Sequence, residues 1–149
     1  MFNVKFSVVI PTCDRPLLLE ETLRSVFLQI VPAYEIIIID NGNNQIDIKS
    51  LNEDERIRYI RALPRFGVAQ ARNMGICLST GDYMAFLDDD DIWDTSYLEE
   101  VANVINAKGA SILLGSLKTL ETGELMQHKS QPVKSLQHFK CELLRRNPV

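Results

Sequence analysis

The chain has few of the residues that announce common chemistries. Its 149 residues include three cysteines, Cys13, Cys77 and Cys141, which lie far apart and form no CxxC pair. Neither a disulfide framework nor a structural zinc site is expected from that pattern, and reduced thiols in a cytosolic chain are the plain reading. The two histidines, His128 and His138, sit in the tail and read as exposed polar residues rather than bases or ligands. No apolar run approaches the ~18 residues that a membrane span needs. The N-terminus lacks a basic region followed by a cleavage site. GxSxG, HExxH, GxxxxGK[ST] and GxGxxG are all missing, so a serine hydrolase, a zinc protease, a P-loop kinase and a dinucleotide dehydrogenase are poorly supported. Basic residues are outnumbered, 16 against 20 acidic, for a net charge of −4. That balance argues against a broad nucleic-acid or membrane-binding face, which usually requires a positive surface.

What remains is an ordinary globular composition, 46% apolar and 24% charged, of a length that suits one domain. Phe6 to Ile10 is a continuous apolar run, read as a strand buried on both faces and ending at Pro11. Thr12 to Pro16 is a turn in which Asp14 is a candidate cap for the next helix. That helix carries Leu17, Leu18, Leu19, Leu23, Val26, Phe27 and Ile30 at helical spacing, with Gln29 among its polar residues, and stops before Pro32. Tyr34 to Ile39 is a second strand, closed by the turn chemistry of Asp40 to Asn44. A polar connection, Asp47 to Glu55, with room for one helical turn, leads to a third strand over Ile57 to Ile60. Gly67 to Cys77 is a helix with Val68, Ala71, Met74 and Leu78 inward. Tyr83 to Leu87 is a fourth strand, Thr95 to Ala107 a helix, and Ala110 to Leu114 a fifth strand. The β-α-β-β-α-β-α-β order implies an α/β fold with a mostly parallel sheet covered by helices. Residues 1–115 carry this core. Residues 116–149 read as a hairpin, Leu117 to Leu120 with Leu125 to Gln127, and a helix over Leu136 to Leu144.

Ligands of such sheets lie outside the carboxyl ends of the strands. Pro11 to Asp14, Asp40 to Asn44 and Asp88 to Asp91 all fall there, which points to one shared polar site. The run Asp88-Asp89-Asp90-Asp91 repels itself unless a positive group collects it. A hard divalent cation such as Mg2+ or Mn2+ does so with one or two carboxylates. If the strand geometry continues, Asp88 and Asp90 share one direction and Asp89 points elsewhere. A solvated acidic turn, with Asp91 or Asp94 capping the following helix, is the alternative. Asp40, at the exit of four isoleucines, can meet a base N–H or a ribose hydroxyl, or bond its own turn. Thr12 and the backbone of Pro11 to Asp14 frame the same place. Gly67 permits close approach at the start of its helix. Arg72 can pair with the aspartates or a phosphate, and Asn73 lies beside it. Trp93 fits packing of the next helix better than stacking on a ligand. Cys13 lies in the site loop, but no base is positioned in sequence to make it a nucleophile.

The segments Ser7 to Pro16, SVVIPTCDRP; Glu35 to Gly42, EIIIIDNG; Gly67 to Gly75, GVAQARNMG; and Phe86 to Trp93, FLDDDDIW, resemble in order the motifs of family 2 glycosyltransferases. The resemblance implies a GT-A fold, a three-layer Rossmann-like sheet with helices on both faces. It also implies a nucleotide-diphospho-sugar donor, often UDP-linked, with transfer to an acceptor hydroxyl by inversion. On the same ground Pro11, Thr12, Asp14, Asp40, Gly67, Arg72, Asn73, Asp88 and Asp89 become donor-binding residues. Asp90 and Asp88 become ligands of Mg2+ or Mn2+. Asn41, Asn43 and Cys13 depart from the family pattern. Only 59 residues follow Asp90, so the family's catalytic base is expected beyond Val149 and the domain shorter than a complete one. The acceptor is expected to be a glycan, lipid-linked or protein group, in cell-surface polysaccharide synthesis. A homodimer, and a cytoplasmic location with the inner face of the membrane as a station for a longer polypeptide, complete the expectation. A metal-dependent phosphotransferase and a non-catalytic nucleotide-binding or interaction domain are the alternatives.

Overall fold

The computed structural model describes residues 4–48, 54–64, 66–109, 117–118 and 125–126. The chain divides into two compact units, Met1–Ala102 and Asn103–Val149. In the first unit β1 (Phe6–Thr12), β2 (Glu35–Asp40), β3 (Ile57–Arg61) and β4 (Tyr83–Phe86) form one sheet, ordered β3-β2-β1-β4. Every pairing in it is parallel. Helix α1 (Pro16–Phe27) joins β1 to β2, α2 (Val68–Leu78) precedes β4, and α3 (Tyr97–Lys108) follows it.

The middle strands are apolar on both faces because both faces are covered. Val8, Val9, Ile10 and Ile36 to Ile39 are all 0% exposed. Val9, Ile37 and Ile39 pack with Ala62 and Ala71, and Met74 and Leu78 lean on that cluster. Helix α2 approaches closely because Gly75 has no side chain: a Cβ there would lie 2.2 Å from Val9 Cγ1. The opposite face, Val8, Ile10, Ile36 and Ile38, is equally sealed, with Leu19, Leu23, Val26 and Leu98 as the buried stripes of α1 and α3. The outer strands β3 and β4 are only half-buried.

Several elements differ from the sequence reading. Strand β1 does not end at Pro11 but pairs on through Thr12 opposite Asp40. Alternate residues of a strand with parallel neighbours address opposite sides. Val9 O accepts from Leu87 N on the β4 side, whereas Thr12 O accepts from Asn41 N beside β2. Pro11 therefore aims its missing N–H to the side where β4 has already ended, so no ladder bond is lost. Leu17, Leu18 and Ile30 of the expected α1 stripe are exposed, and Val68 is half-exposed. Gln29 is buried instead. Its Nε2 donates to Ser25 O and Asp94 O, and its Oε1 accepts from Leu98 N, tying the end of α1 to the start of α3. Asp94 accepts from the Ser96 amide and hydroxyl just before α3, and those bonds hold its carboxyl below the ordinary range.

In the remaining part of the chain, β5 (Leu117–Lys118) pairs antiparallel with β6 (Leu125–Met126), as a hairpin requires. The expected strand at Ala110 to Leu114, the helix at Leu136 to Leu144 and residues 49–53 of the polar connection lie outside the described residues. Among the described residues no helix is long and apolar enough to cross a membrane.

Candidate functional site

Strand order puts β1 between β2 and β4, so the exits of these three strands meet. They enclose a cleft of about 450 Å³ lined by six expected residues, Pro11, Thr12, Gly67, Asp88, Asp89 and Asp90. Cys13, Arg15, Asn41 and Val68 complete its wall. Asp14, Asp40, Arg72 and Asn73 are not among the lining residues.

Asp14 does not cap α1. Arg15 occupies the cap position, with no side-chain cap bond. Asp14 adopts φ 56°, a left-handed conformation uncommon for a residue with a side chain. Its carboxylate accepts from the amides of Asn43 (2.9 Å) and Asn44 (3.0 Å) and from Asn43 Nδ2 (2.9 Å). The Asn44 and Asn43 amides hold its carboxyl below the ordinary range. Asp14 thus fastens the β1 exit to the β2 exit.

Asp40 is fully buried, and both its oxygens are engaged. Oδ1 accepts from Gly42 N at 2.8 Å, the turn-closing bond considered in the sequence reading. Oδ2 accepts from the Tyr59 hydroxyl and, at 2.6 Å, from Arg61 Nη1. Burial first, then the Asp40 carboxylate, push the Tyr59 hydroxyl above its usual pKa. Arg61 continues to Gly42 O and Asn44 O, at 2.6 and 3.0 Å. Asp40 therefore organises the β2 loop from beneath.

The acidic run leaves strand geometry after Phe86. Leu87 N makes one more bond to β1, and Asp91 N then closes a turn onto Asp88 O. The alternation expected for Asp88 and Asp90 consequently does not apply, and Asp88, Asp89 and Asp90 all reach the cleft. Asp89 is buried, with Oδ2 accepting from Thr12 Oγ1 at 2.7 Å. Arg15 Nη1 bridges Asp89 Oδ1 at 3.3 Å and Asp90 Oδ2 at 3.0 Å. Asp88 pairs instead with Arg72. Burial, then the charges of Asp88 and Asp90, raise the carboxyl pKa of Asp91. Trp93 stacks on Tyr97 at 4.6 Å and packs α3 instead of lining the cleft.

Two buried donors near this cluster, Arg72 Nε and Asn73 Nδ2, have no hydrogen-bond partner among the described residues. Such groups are rare in folded proteins and call for a reason. Helix α2 starts at Gly67, whose φ of 89° favours glycine. With the Asn41 amide oriented to suit its neighbours, Nδ2 donates to Thr12 O at 2.7 Å and Oδ1 accepts from Gly67 N at 3.0 Å. Asn41 thereby joins the β2 loop to the end of β1 and the start of α2.

The sequence model of the family Glycosyl transferase family 2 matches residues 7–147. The chain belongs to that family. Among curated relatives, glycosyltransferase GlyG of Streptococcus pneumoniae is 30% identical over 114 residues, which are 74% of this chain and 38% of GlyG. GalNAc(5)-diNAcBac-PP-undecaprenol beta-1,3-glucosyltransferase of Campylobacter jejuni is 36% identical over 93 residues, 58% of this chain and 30% of that enzyme. The chain thus spans less than two-fifths of the length of either relative. The crystal structure of S. aureus TarS 1-349 in complex with UDP-GlcNAc superposes with TM-score 0.65 at 22% identity, covering 70% of this chain and 32% of that one. This likeness is one of fold, and the parallel sheet is the Rossmann-like GT-A sheet that the resemblance implied.

For a family 2 member, the donor set suits a hard divalent cation: Asp88 and Asp90 are half-exposed carboxylates on one cleft wall. Among the described residues no group of three or more His, Cys, Asp or Glu side chains is arranged around a metal position. Mg2+ commonly needs only one or two protein carboxylates beside phosphate and water. The residues fit such an ion, provided the guanidiniums of Arg15 and Arg72 give way.

Proposed function

We propose that the cleft binds a nucleotide-diphospho-sugar, with UDP as nucleotide, and that the chain supplies the donor-binding part of a metal-assisted, inverting sugar transfer to an acceptor hydroxyl. The observation that carries this reading is the convergence of three polar strand exits on one cleft, with Asp88 and Asp90 half-exposed in it. Family membership supports it, as does the fold shared with a protein crystallised with UDP-GlcNAc.

On this reading Asp90 and Asp88 hold Mg2+ or Mn2+ at the diphosphate. When bound, that ion acts as a Lewis acid, stabilising the charge that grows on the departing diphosphate. Asp89, locked by Thr12, sets the turn that presents both ligands and faces the ribose or sugar. Arg72, released from Asp88 when the ion binds, and Asn73 turn their donors towards phosphate or ribose oxygens. Pro11, Thr12 and Gly67 leave backbone close enough to line the nucleotide. Asp14 and Asp40 shape the base-binding end through the Gly42 to Asn44 loop that they hold.

Calorimetric titration with UDP, GDP and UMP, each with and without Mn2+, tests the reading. Diphosphate binding that disappears on removing Mn2+ or in Asp90→Ala supports it. Binding unchanged by either treatment overturns it.

A further inference from the structure

The acidic run carries its own counter-cation. Arg15 Nη1 lies 3.0 Å from Asp90 Oδ2 and 3.3 Å from Asp89 Oδ1. Its side chain is half-exposed on the cleft wall, as is that of Asp90. The loop that delivers it is constrained: Asp14, one residue earlier, is held in the left-handed region by the donors of Asn43 and Asn44. Asp89 is buried and also held by Thr12, so the solvent-exposed partners of the cluster are Arg15 and Asp90.

We propose that Arg15 is a resident cation competing with the divalent ion for Asp90, and that the donor's diphosphate relieves the competition by taking up the guanidinium. This rests on the reading of Asp90 and Asp88 as the metal-binding pair. A metal ion cannot use Asp90 Oδ2 while Arg15 occupies it, and a divalent charge repels a guanidinium at that range. A diphosphate reverses the sign of the interaction. Its oxygens accept the planar fork of arginine in a bidentate manner, and they share the metal. Arg15 then lies on the donor side of the cleft, and metal and nucleotide bind as a coupled pair. In the absence of nucleotide the arginine keeps the aspartates paired and disfavours stray metal binding.

The test is Mn2+ affinity of the 149-residue chain by calorimetry or electron paramagnetic resonance, with and without UDP, in wild type, Arg15→Gln and Arg15→Met. Far-UV circular dichroism checks the fold of each variant, and Arg24→Gln on the outer face of α1 is the control. Without UDP, both Arg15 variants are expected to bind Mn2+ at least roughly fivefold more tightly than wild type, a typical size for coupling between sites. The gain in Mn2+ affinity caused by UDP is expected to shrink by a similar factor. Unchanged or weaker Mn2+ binding in both variants, while UDP binding still depends on Mn2+ and Asp90, overturns the role of Arg15 alone. UDP binding that needs neither Mn2+ nor Asp90 overturns the metal-site reading together with it.

Discussion

Thr12 Oγ1 donates to Asp89 Oδ2 at 2.7 Å, joining the end of β1 to the turn after β4 across 77 positions of sequence. Both residues are buried, at 3% and 6% exposure. The bond gives Asp89 a partner that water cannot replace and holds the acidic turn against the sheet.

Thr12→Val keeps the shape of the side chain and removes that donor. A buried carboxylate left with only Arg15 is expected to cost about 1–3 kcal/mol of stability, read as a lower denaturant midpoint at unchanged slope. Thr12→Ser is expected to retain most of the stability. A Thr12→Val chain as stable as wild type would show that the bond contributes nothing.

Gly75→Ala places a methyl group 2.2 Å from Val9 Cγ1. Overpacking of this kind is expected to destabilise the chain by about 1–3 kcal/mol. Adding Val9→Ala makes room, so the double variant is expected to lose less stability than the sum of the two single variants. Strict additivity in the double-mutant cycle would contradict the close approach of α2 to the sheet.

Glu35 lies at the opposite end of β2 from the cleft. Burial raises its pKa, but the Thr80 amide, Arg58 and the Ser7 and Thr80 hydroxyls outweigh it and hold the carboxyl at about 2 against an ordinary 4.5. A depressed value means that the stabilisation is full above 4.5 and is lost as pH falls towards 2. Glu35→Gln is expected to be less stable than wild type at pH 7, by roughly 3 kcal/mol at most. The difference should close as acid titrates the wild-type group. Thermal melts of both proteins across that range would show it, and a constant difference would refute the linkage.

Asn41→Asp, which exchanges an amide for a carboxylate of the same shape, is expected to harm this chain. The amide donates to Thr12 O and accepts from Gly67 N. A carboxylate keeps the second bond and sets an unpaired acceptor against a carbonyl. A loss of about 1–3 kcal/mol is expected, with weaker UDP binding in the same calorimetric assay. Improved stability would mean that the amide is dispensable.

The roles of Arg15 and Asn41 depend on partners distant in the chain. Arg15 reads as an ordinary turn residue next to Asp14, because nothing local shows that it, as well as Arg72, reaches the four adjacent carboxylates. Asn41 passed as a motif departure. Its value lies in donating and accepting at once, which matters only when a carbonyl and an amide from other segments face it. Capping the nearest helix is the commonest local use of a residue such as Asp14. Its actual partners come from a loop 29 and 30 positions away.

By itself the sequence determined the strands and helices between Phe6 and Lys108, the parallel α/β class and the three polar exits. Apolar runs such as Ile36 to Ile39, glycine and asparagine turns and helical periodicity are local signals, read over a few residues. The tertiary structure alone decided which groups meet. The order β3-β2-β1-β4 places Thr12 between the loops of Asp40 and Asp88, and that order results from whole strands competing for burial, not from any local pattern. With it came the division of the aspartates, Asp88 to Arg72, Asp89 to Thr12 and Asp90 to Arg15. Ion pairs and hydrogen bonds act over a few ångströms, so their partners are set only once the strands have taken their places.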